Sequence, residues 1–304
     1  MNNVISIESL TKTYGTVNAV NNLNLQISQG EIFGFLGPNG AGKTTTIRML
    51  TGFVRPTTGN SLILGMNSWH DSVDIKTQIG LLPDSPNLYS NMTGTEFLNY
   101  MSALQRVHFP EIRQSLCERL EFSAVDLNRS IKQYSHGMRQ KLAIIQSLQH
   151  DPIIVIMDEP TEALDPLMQQ VLFDLIVECK SRERTVFFSS HNLTDVEKLC
   201  DRVGIIKKGD LIAVKTVNEL KKHKLRHLDV SLKNDASQET FDIPGIVKRF
   251  KDGNRMKLVF KGDINLLIKE LSKLDLDDMI LEPPRLEDIF LDYYRPNDSN
   301  DELT

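Results

Sequence analysis

Cysteine is scarce in this chain of 304 residues: Cys117, Cys179 and Cys200 lie far apart and form no C-x-x-C pair. That spacing excludes a disulfide framework and a thiolate metal site, and reads as three reduced thiols of a cytosolic protein. Long hydrophobic runs are missing as well. No window approaches the roughly 20 apolar residues that a membrane-spanning helix needs. Met1-Asn-Asn-Val-Ile5 carries no basic flank ahead of a long apolar stretch, so no signal peptide is expected. A surplus of positive charge is also absent. The 35 lysines and arginines against 40 aspartates and glutamates leave a net charge of −5, which argues against broad, non-specific nucleic-acid binding. There is no internal repeat and no low-complexity segment. The remainder is that of a folded globular chain, 40% hydrophobic and 25% charged, long enough for one large core and a small second domain.

Against these absences stand four short segments in fixed order: Gly37-Pro-Asn-Gly-Ala-Gly-Lys-Thr44, Tyr134-Ser-His-Gly-Met-Arg-Gln140, Ile153-Ile-Val-Ile-Met-Asp-Glu159 and Ser189-Ser-His191. The first fits G-x-x-x-x-G-K-[ST], in which backbone N–H groups of a glycine-rich loop close around phosphates. It follows the apolar run Ile32–Leu36 and opens into Thr45-Thr-Ile-Arg-Met-Leu50, which reads as a helix. That context suits phosphate, because a helix N-terminus adds positive potential where the oxygens sit. Gly37, Pro38, Asn39, Gly40, Ala41 and Gly42 form the loop, and Lys43, Thr44 and Thr45 begin the helix. In such a loop the lysine ammonium reaches the β- and γ-phosphates and the Thr44 hydroxyl ligates Mg²⁺. Asp158 ends the continuous apolar run Ile153–Met157, as expected of a strand buried on both faces. Its carboxylate at the strand tip fits a hard cation held mainly by phosphates and water. Glu159 follows directly and is the candidate to polarise an attacking water.

Along the rest of the chain, Leu23, Leu25 and Ile27 alternate before a Gln29-Gly30 turn, marking strands in the first 35 residues. From Thr93 to about Arg129 the pattern turns helical, with Phe97, Tyr100, Met101 and Leu104 at helix spacing. Leu167–Lys180 reads as an amphipathic helix and Thr185–Ser190 as a second central strand. His70, His108, His136, His150, His223 and His227 show no metal-like spacing.

Together the four segments resemble the nucleotide-binding subunit of an ATP-binding cassette transporter, over roughly residues 4 to 225. Tyr134-Ser-His-Gly-Met138 corresponds to the family's signature loop, usually Leu-Ser-Gly-Gly-Gln. Ser135 and Gly137 keep that pattern, while His136 replaces the first glycine and Met138 the glutamine. Ala163-Leu-Asp165 and His191 then follow in family order. The resemblance implies an α/β fold: a P-loop NTPase cassette with a RecA-like core, an antiparallel β subdomain and a helical subdomain at about residues 85–150. It makes His191 the switch histidine that touches the γ-phosphate and the water, and Tyr14 the aromatic that stacks on adenine. Asp84, in Gly80-Leu-Leu-Pro-Asp84, stands where the family usually carries a glutamine that ligates Mg²⁺ and senses the membrane subunit. Some branches carry an acidic residue there, so Asp84 is expected to be a working Mg²⁺ ligand.

Ser135 and Gly137 further imply that each chain completes the nucleotide site of the opposite one. ATP and Mg²⁺ are then the cofactors, a homodimer is the simplest assembly, and a heterodimer with a similar chain is its alternative. The channel would be another polypeptide, an integral membrane permease, with this chain cytoplasmic and peripheral on the inner face of the membrane. Nucleic acid is not an expected partner. Two rivals to this reading are a soluble cassette ATPase acting on the ribosome or DNA, and a regulatory module that senses ATP and scarcely hydrolyses it. The first lacks its second cassette or long coiled coil here; Glu159 and His191 argue against the second.

Residues 226–295 read as a small α+β domain, and 296–304 as a polar, disordered end. Leu228, Val230 and Leu232 alternate, Met256–Phe260 is a further strand, and Ile264–Leu274 has helical periodicity. Pro284-Arg-Leu-Glu-Asp-Ile-Phe290 resembles the tail of cassettes that serve drug and antibiotic exporters. Leu286–Tyr294 is expected to form a short helix whose Phe290, Tyr293 and Tyr294 suit a contact with the second subunit.

Overall fold

Strand alternation builds the first sheet. In β1 (Asn3–Tyr14) and β2 (Val17–Ser28), Ile5, Ile7, Leu10, Leu23, Leu25 and Ile27 turn inward, with Val4 buried beside them, while Glu8, Ser9, Asn24 and Gln26 face water. The chain then enters β3 (Ile32–Leu36), α1 (Lys43–Leu50), β4 (Thr58–Ile63), β5 (Met66–Asn67), α2 (Ser72–Gln78) and β6 (Ile79–Leu82). β4 and β5 join the first two strands in an antiparallel sheet of order β2-β1-β4-β5. This computed structural model describes residues 3–107, 109–221, 225–233 and 245–282.

Three helices follow: α3 (Gly94–Leu104), α4 (Pro110–Arg119) and α5 (Ala124–Asn128). The helical stretch expected from Thr93 is thus divided, and the breaks fall beside Arg106 and Glu121, which adopt left-handed φ values of 56° and 52°. Local chemistry fixes the starts. Thr93 and Glu96 form a capping box for α3, Ser123 and Asp126 one for α5, and Pro110 sits in the first turn of α4. A short 3₁₀ turn, Ile131–Gln133, leads to α6 (His136–Leu148).

The central sheet is completed by β7 (Ile154–Asp158), α7 (Pro166–Ser181), β8 (Thr185–Ser190), α8 (Leu193–Leu199), β9 (Arg202–Lys207) and β10 (Asp210–Thr216). Its order is β10-β9-β3-β8-β7-β6, and β3, β6, β7, β8 and β9 run parallel. Every residue of β3, β7 and β8 is buried, as a sheet covered on both faces requires. Register positions the chemistry. Leu36 pairs with Ser190, and Asp158 with Ser189. Gly37, Glu159 and His191, one residue past these strands, therefore emerge side by side at the carboxyl edge, where open α/β sheets bind ligands. No helix among the described residues is long and apolar enough to cross a membrane.

The chain divides into two units, Met1–Lys215 and Thr216–Thr304. The first ends before the residue 225 expected, because β10 already closes its sheet and the chain turns at once into α9 (Val217–Lys221). The second unit holds an antiparallel sheet of order β12-β13-β11-β14, made of β11 (Leu225–Leu232), β12 (Ile246–Asp252), β13 (Arg255–Lys261) and β14 (Leu276–Glu282). Leu228, Val230, Met256, Leu258 and Phe260 pack there with Leu267 and Leu271 of α10 (Ile264–Leu271), which Asp263 caps. The helix expected at Leu286–Tyr294 lies outside the described residues.

Candidate active site

The loop from Gly37 to Gly42 is shaped by its glycines. Gly42 has φ 112°, and a Cβ there would sit 2.4 Å from the Ala19 carbonyl oxygen. A Cβ on Gly37 would lie 2.5 Å from the Ile206 carbonyl oxygen. No side chain caps α1, and its first turn carries no acidic residue. Its leading N–H groups are therefore left for an external acceptor, and the helix dipole favours an anion there. A phosphate fits that cradle.

Lys43 is 5% exposed, and its ammonium donates to the carbonyls of Gly37 at 2.6 Å and Pro38 at 3.3 Å. It also pairs with Glu159 Oε1 at 2.9 Å. Glu159 leaves the end of β7 with φ 48°, a left-handed conformation that an ordinary side chain rarely adopts. That kink is held by two bonds from its N–H, to Ser189 O at 3.2 Å and Ser189 Oγ at 3.1 Å. Its second carboxylate oxygen stands 2.8 Å from His191 Nδ1 and accepts the His191 N–H at 3.3 Å. The carboxylate is buried between a cation and an imidazole whose side chain is 47% exposed. Glu162, exposed, places a further carboxylate oxygen within 4.8 Å of ligand-type atoms of Glu159 and His191.

Asp158 is 1% exposed and accepts from Ser189 Oγ. Burial pushes its carboxyl above the usual carboxylate range; hydrogen bonds from Ser189 and Thr44 oppose this, while the charges of Asp84 and Glu159 reinforce it. A hydroxyl and two carboxylates thus converge beside the phosphate cradle, an oxygen donor set that suits a hard divalent cation. Asp84 itself follows β6, is half-buried, and accepts the N–H of Ser85 at 2.8 Å.

The structure therefore brings Lys43, Thr44, Asp84, Asp158, Glu159 and His191 to one sheet edge. Tyr14, Ser135 and Gly137 lie on other elements. Tyr14, at the end of β1, is 50% exposed, with the Lys12 ammonium 5.0 Å from its ring centroid. Ser135 caps α6 by accepting the Met138 N–H at 3.2 Å. Gly137 lies in the first turn of that helix, where a Cβ would come 3.2 Å from the Ala163 carbonyl oxygen.

Sequence reasoning missed the residues that hold the segment after Glu159. Gln140, 1% exposed, donates to Pro160 O at 3.1 Å, and Gln169 donates to Leu164 O at 3.1 Å. Asp195, 4% exposed, accepts from Thr161. Their only signal is polarity on faces that are otherwise apolar.

Comparison with known proteins identifies the family. The family model described as ABC transporter matches residues 20–162. The bacitracin transport ATP-binding protein of Bacillus licheniformis is 34% identical over 93% of this chain and 97% of its own length. The linearmycin resistance ATP-binding protein of Bacillus subtilis is 33% identical over 71% of this chain and 70% of its own. Among solved structures, an ATP-binding subunit of an ABC transporter superposes with a TM-score of 0.68 at 26% identity, covering 72% of this chain and 92% of that one. A dimeric cassette in a post-hydrolysis state with ADP and phosphate shares the fold, with a TM-score of 0.65 at 23% identity over 70% of this chain and 98% of that one. This chain belongs to the ATP-binding proteins of ABC transporters, nucleotide-binding ATPases whose hydrolysis powers transport.

Proposed function

We propose that this protein hydrolyses ATP, with Mg²⁺, to drive a separate membrane permease that exports its cargo. The observation that carries the chemistry is the buried carboxylate of Glu159, held between Lys43 and His191 at the edge of the phosphate cradle. Residues 37–45 would wrap the phosphates, with Lys43 reaching the β- and γ-groups and Tyr14 stacking on adenine. Thr44, Asp158 and Asp84 would hold Mg²⁺, which supplies charge neutralisation at the phosphates. Glu159 orients and polarises the attacking water, and His191 fixes that water and the γ-phosphate. Positioning plus electrostatics is the greater part of phosphoryl-transfer catalysis.

Ser135 and Gly137, at the start of α6, would serve the nucleotide of a second cassette, so that a homodimer carries two complete sites. Export is supported by the relatives named for bacitracin transport and linearmycin resistance, the first of them matched over nearly its whole length. Coupling would run through the Asp84 loop and the helices α3 to α5 to a permease at the inner face of the membrane. Steady-state turnover of the pure dimer tests the ATPase, and a copurifying multi-spanning protein from native membranes tests the coupling. Turnover at the background rate, or no such partner, would sink the respective half.

A further inference from the structure

Two loops leave the central sheet next to each other, one after Glu159 and one after His191, and their direct tie is the contact between those two side chains. That tie cannot persist unchanged, since Glu159 has to turn to water and His191 to phosphate during turnover. A second tie exists. Asp195 Oδ2 accepts from Thr161 Oγ1 at 3.1 Å, two residues beyond Glu159, and Asp195 Oδ1 accepts from Asn192 Nδ2 at 3.2 Å, the residue after His191. Asn192 is itself fixed to the end of β8, its N–H donating to Ser190 Oγ at 2.9 Å. Thr161 lies in a segment clamped from the other side, since Gln140 of α6 holds Pro160 O and Gln169 of α7 holds Thr161 O at 3.3 Å. The bridging carboxylate is 4% exposed and accepts from two neutral donors, with the Lys198 charge acting on it from its own helix. A buried carboxylate is an expensive way to fill space compared with an apolar side chain.

We propose that Asp195 is a positioning residue: it locks the Glu159 loop to the His191 loop through Thr161 and Asn192, so that water and γ-phosphate meet in register. The proposal rests on the roles given above to Glu159 and His191. Asp195 bonds to Thr161 and Asn192 and acts through the two loops. A misplacement of about 1 Å in such a site costs on the order of a hundredfold in rate.

The test uses the full-length protein and four variants: Asp195→Ala, Thr161→Val, Thr161→Ser and His191→Ala. Asp195→Ala and Thr161→Val each remove the bridge and should lower kcat at least tenfold, while affinity for a fluorescent ADP analogue stays within twofold. Thr161→Ser restores the hydroxyl and should return kcat to within threefold of wild type. In the His191→Ala background, Asp195→Ala should add less than twofold, because both act on one constellation. Wild-type kcat in Asp195→Ala or in Thr161→Val would overturn the proposal, as would full multiplication of the Asp195 and His191 effects. Should Asp195→Ala fail to fold, Thr161→Val against Thr161→Ser decides alone. Normal turnover in His191→Ala would instead remove the reading of the histidine on which the proposal stands.

Discussion

Glu159 combines a strained backbone, two hydrogen bonds from its own N–H to Ser189, and a carboxylate shared by Lys43 and His191. Strain of this kind costs on the order of 1–3 kcal/mol and persists where surrounding structure enforces it. Here it aims the side chain across the sheet edge instead of along the strand. Glu159→Gln keeps the shape but loses the charge and one acceptor oxygen of the carboxylate proposed to polarise water, so hydrolysis should fall by orders of magnitude while nucleotide still binds. Single-turnover kinetics beside equilibrium nucleotide titration checks both, and near-normal turnover would take Glu159 out of the mechanism. Asp84 is judged on the cation instead. Because it shares the neighbourhood of Asp158, Asp84→Ala should raise the Mg²⁺ concentration needed for half-maximal ATPase activity and weaken stimulation by the permease. Unchanged values of both would make Asp84 a bystander.

At the scale of elements, the start of α1 and the junction of α3 with β6 are the sensitive points. Gly42→Ala forces a Cβ against the Ala19 carbonyl at a φ of 112°, which should cost about 1–3 kcal/mol and disturb the cradle. Thermal unfolding and nucleotide affinity should both decline; an unshifted Tm would show that the loop yields. His150, 5% exposed, bonds through Nε2 to Ile79 O at 3.0 Å and contacts Gln105 of the α3 terminus at 3.2 Å. Burial lowers its pKa below the ordinary 6.5, with the Ile79 carbonyl and Asp151 opposing. The folded protein therefore keeps it neutral, the unfolded chain takes up the proton below pH 6.5, and stability is lost as pH falls further. His150→Gln should flatten that acid limb in a series of Tm measurements, and parallel curves would exclude the histidine as its source.

The strands behind this site were legible in the sequence for a physical reason. Ile32–Leu36, Ile154–Asp158 and Thr185–Ser190 are buried on both faces, so burial leaves an unbroken run in composition. Pro110 signals the start of α4, but the ends of α3 and α4 were not legible, because Arg106 and Glu121 adopt left-handed backbone with no glycine to announce it. Nor was the Thr161–Asp195 bridge, whose partners become neighbours only through the pairing of β7 with β8.

For the whole molecule, the division after Lys215 sets the natural cut. Met1–Lys215 contains every candidate site residue, so a protein ending there should keep its nucleotide affinity. If the second unit steadies the dimer, the shortened protein should dimerise less tightly and lose ATPase activity at low concentration, as sedimentation with and without ATP would reveal. Equal dimer affinity would leave Thr216–Thr304 a different task, and Phe290, Tyr293 and Tyr294 a purely internal one. The Lys43–Glu159 pair has a consequence for the same assembly. Lys43, proposed to meet phosphate, neutralises the carboxylate of Glu159, proposed to meet water. On those roles, nucleotide in the cradle would exchange one counter-ion for another and unmask the Glu159 carboxylate in the same event. The fuel would thus arm its own hydrolysis.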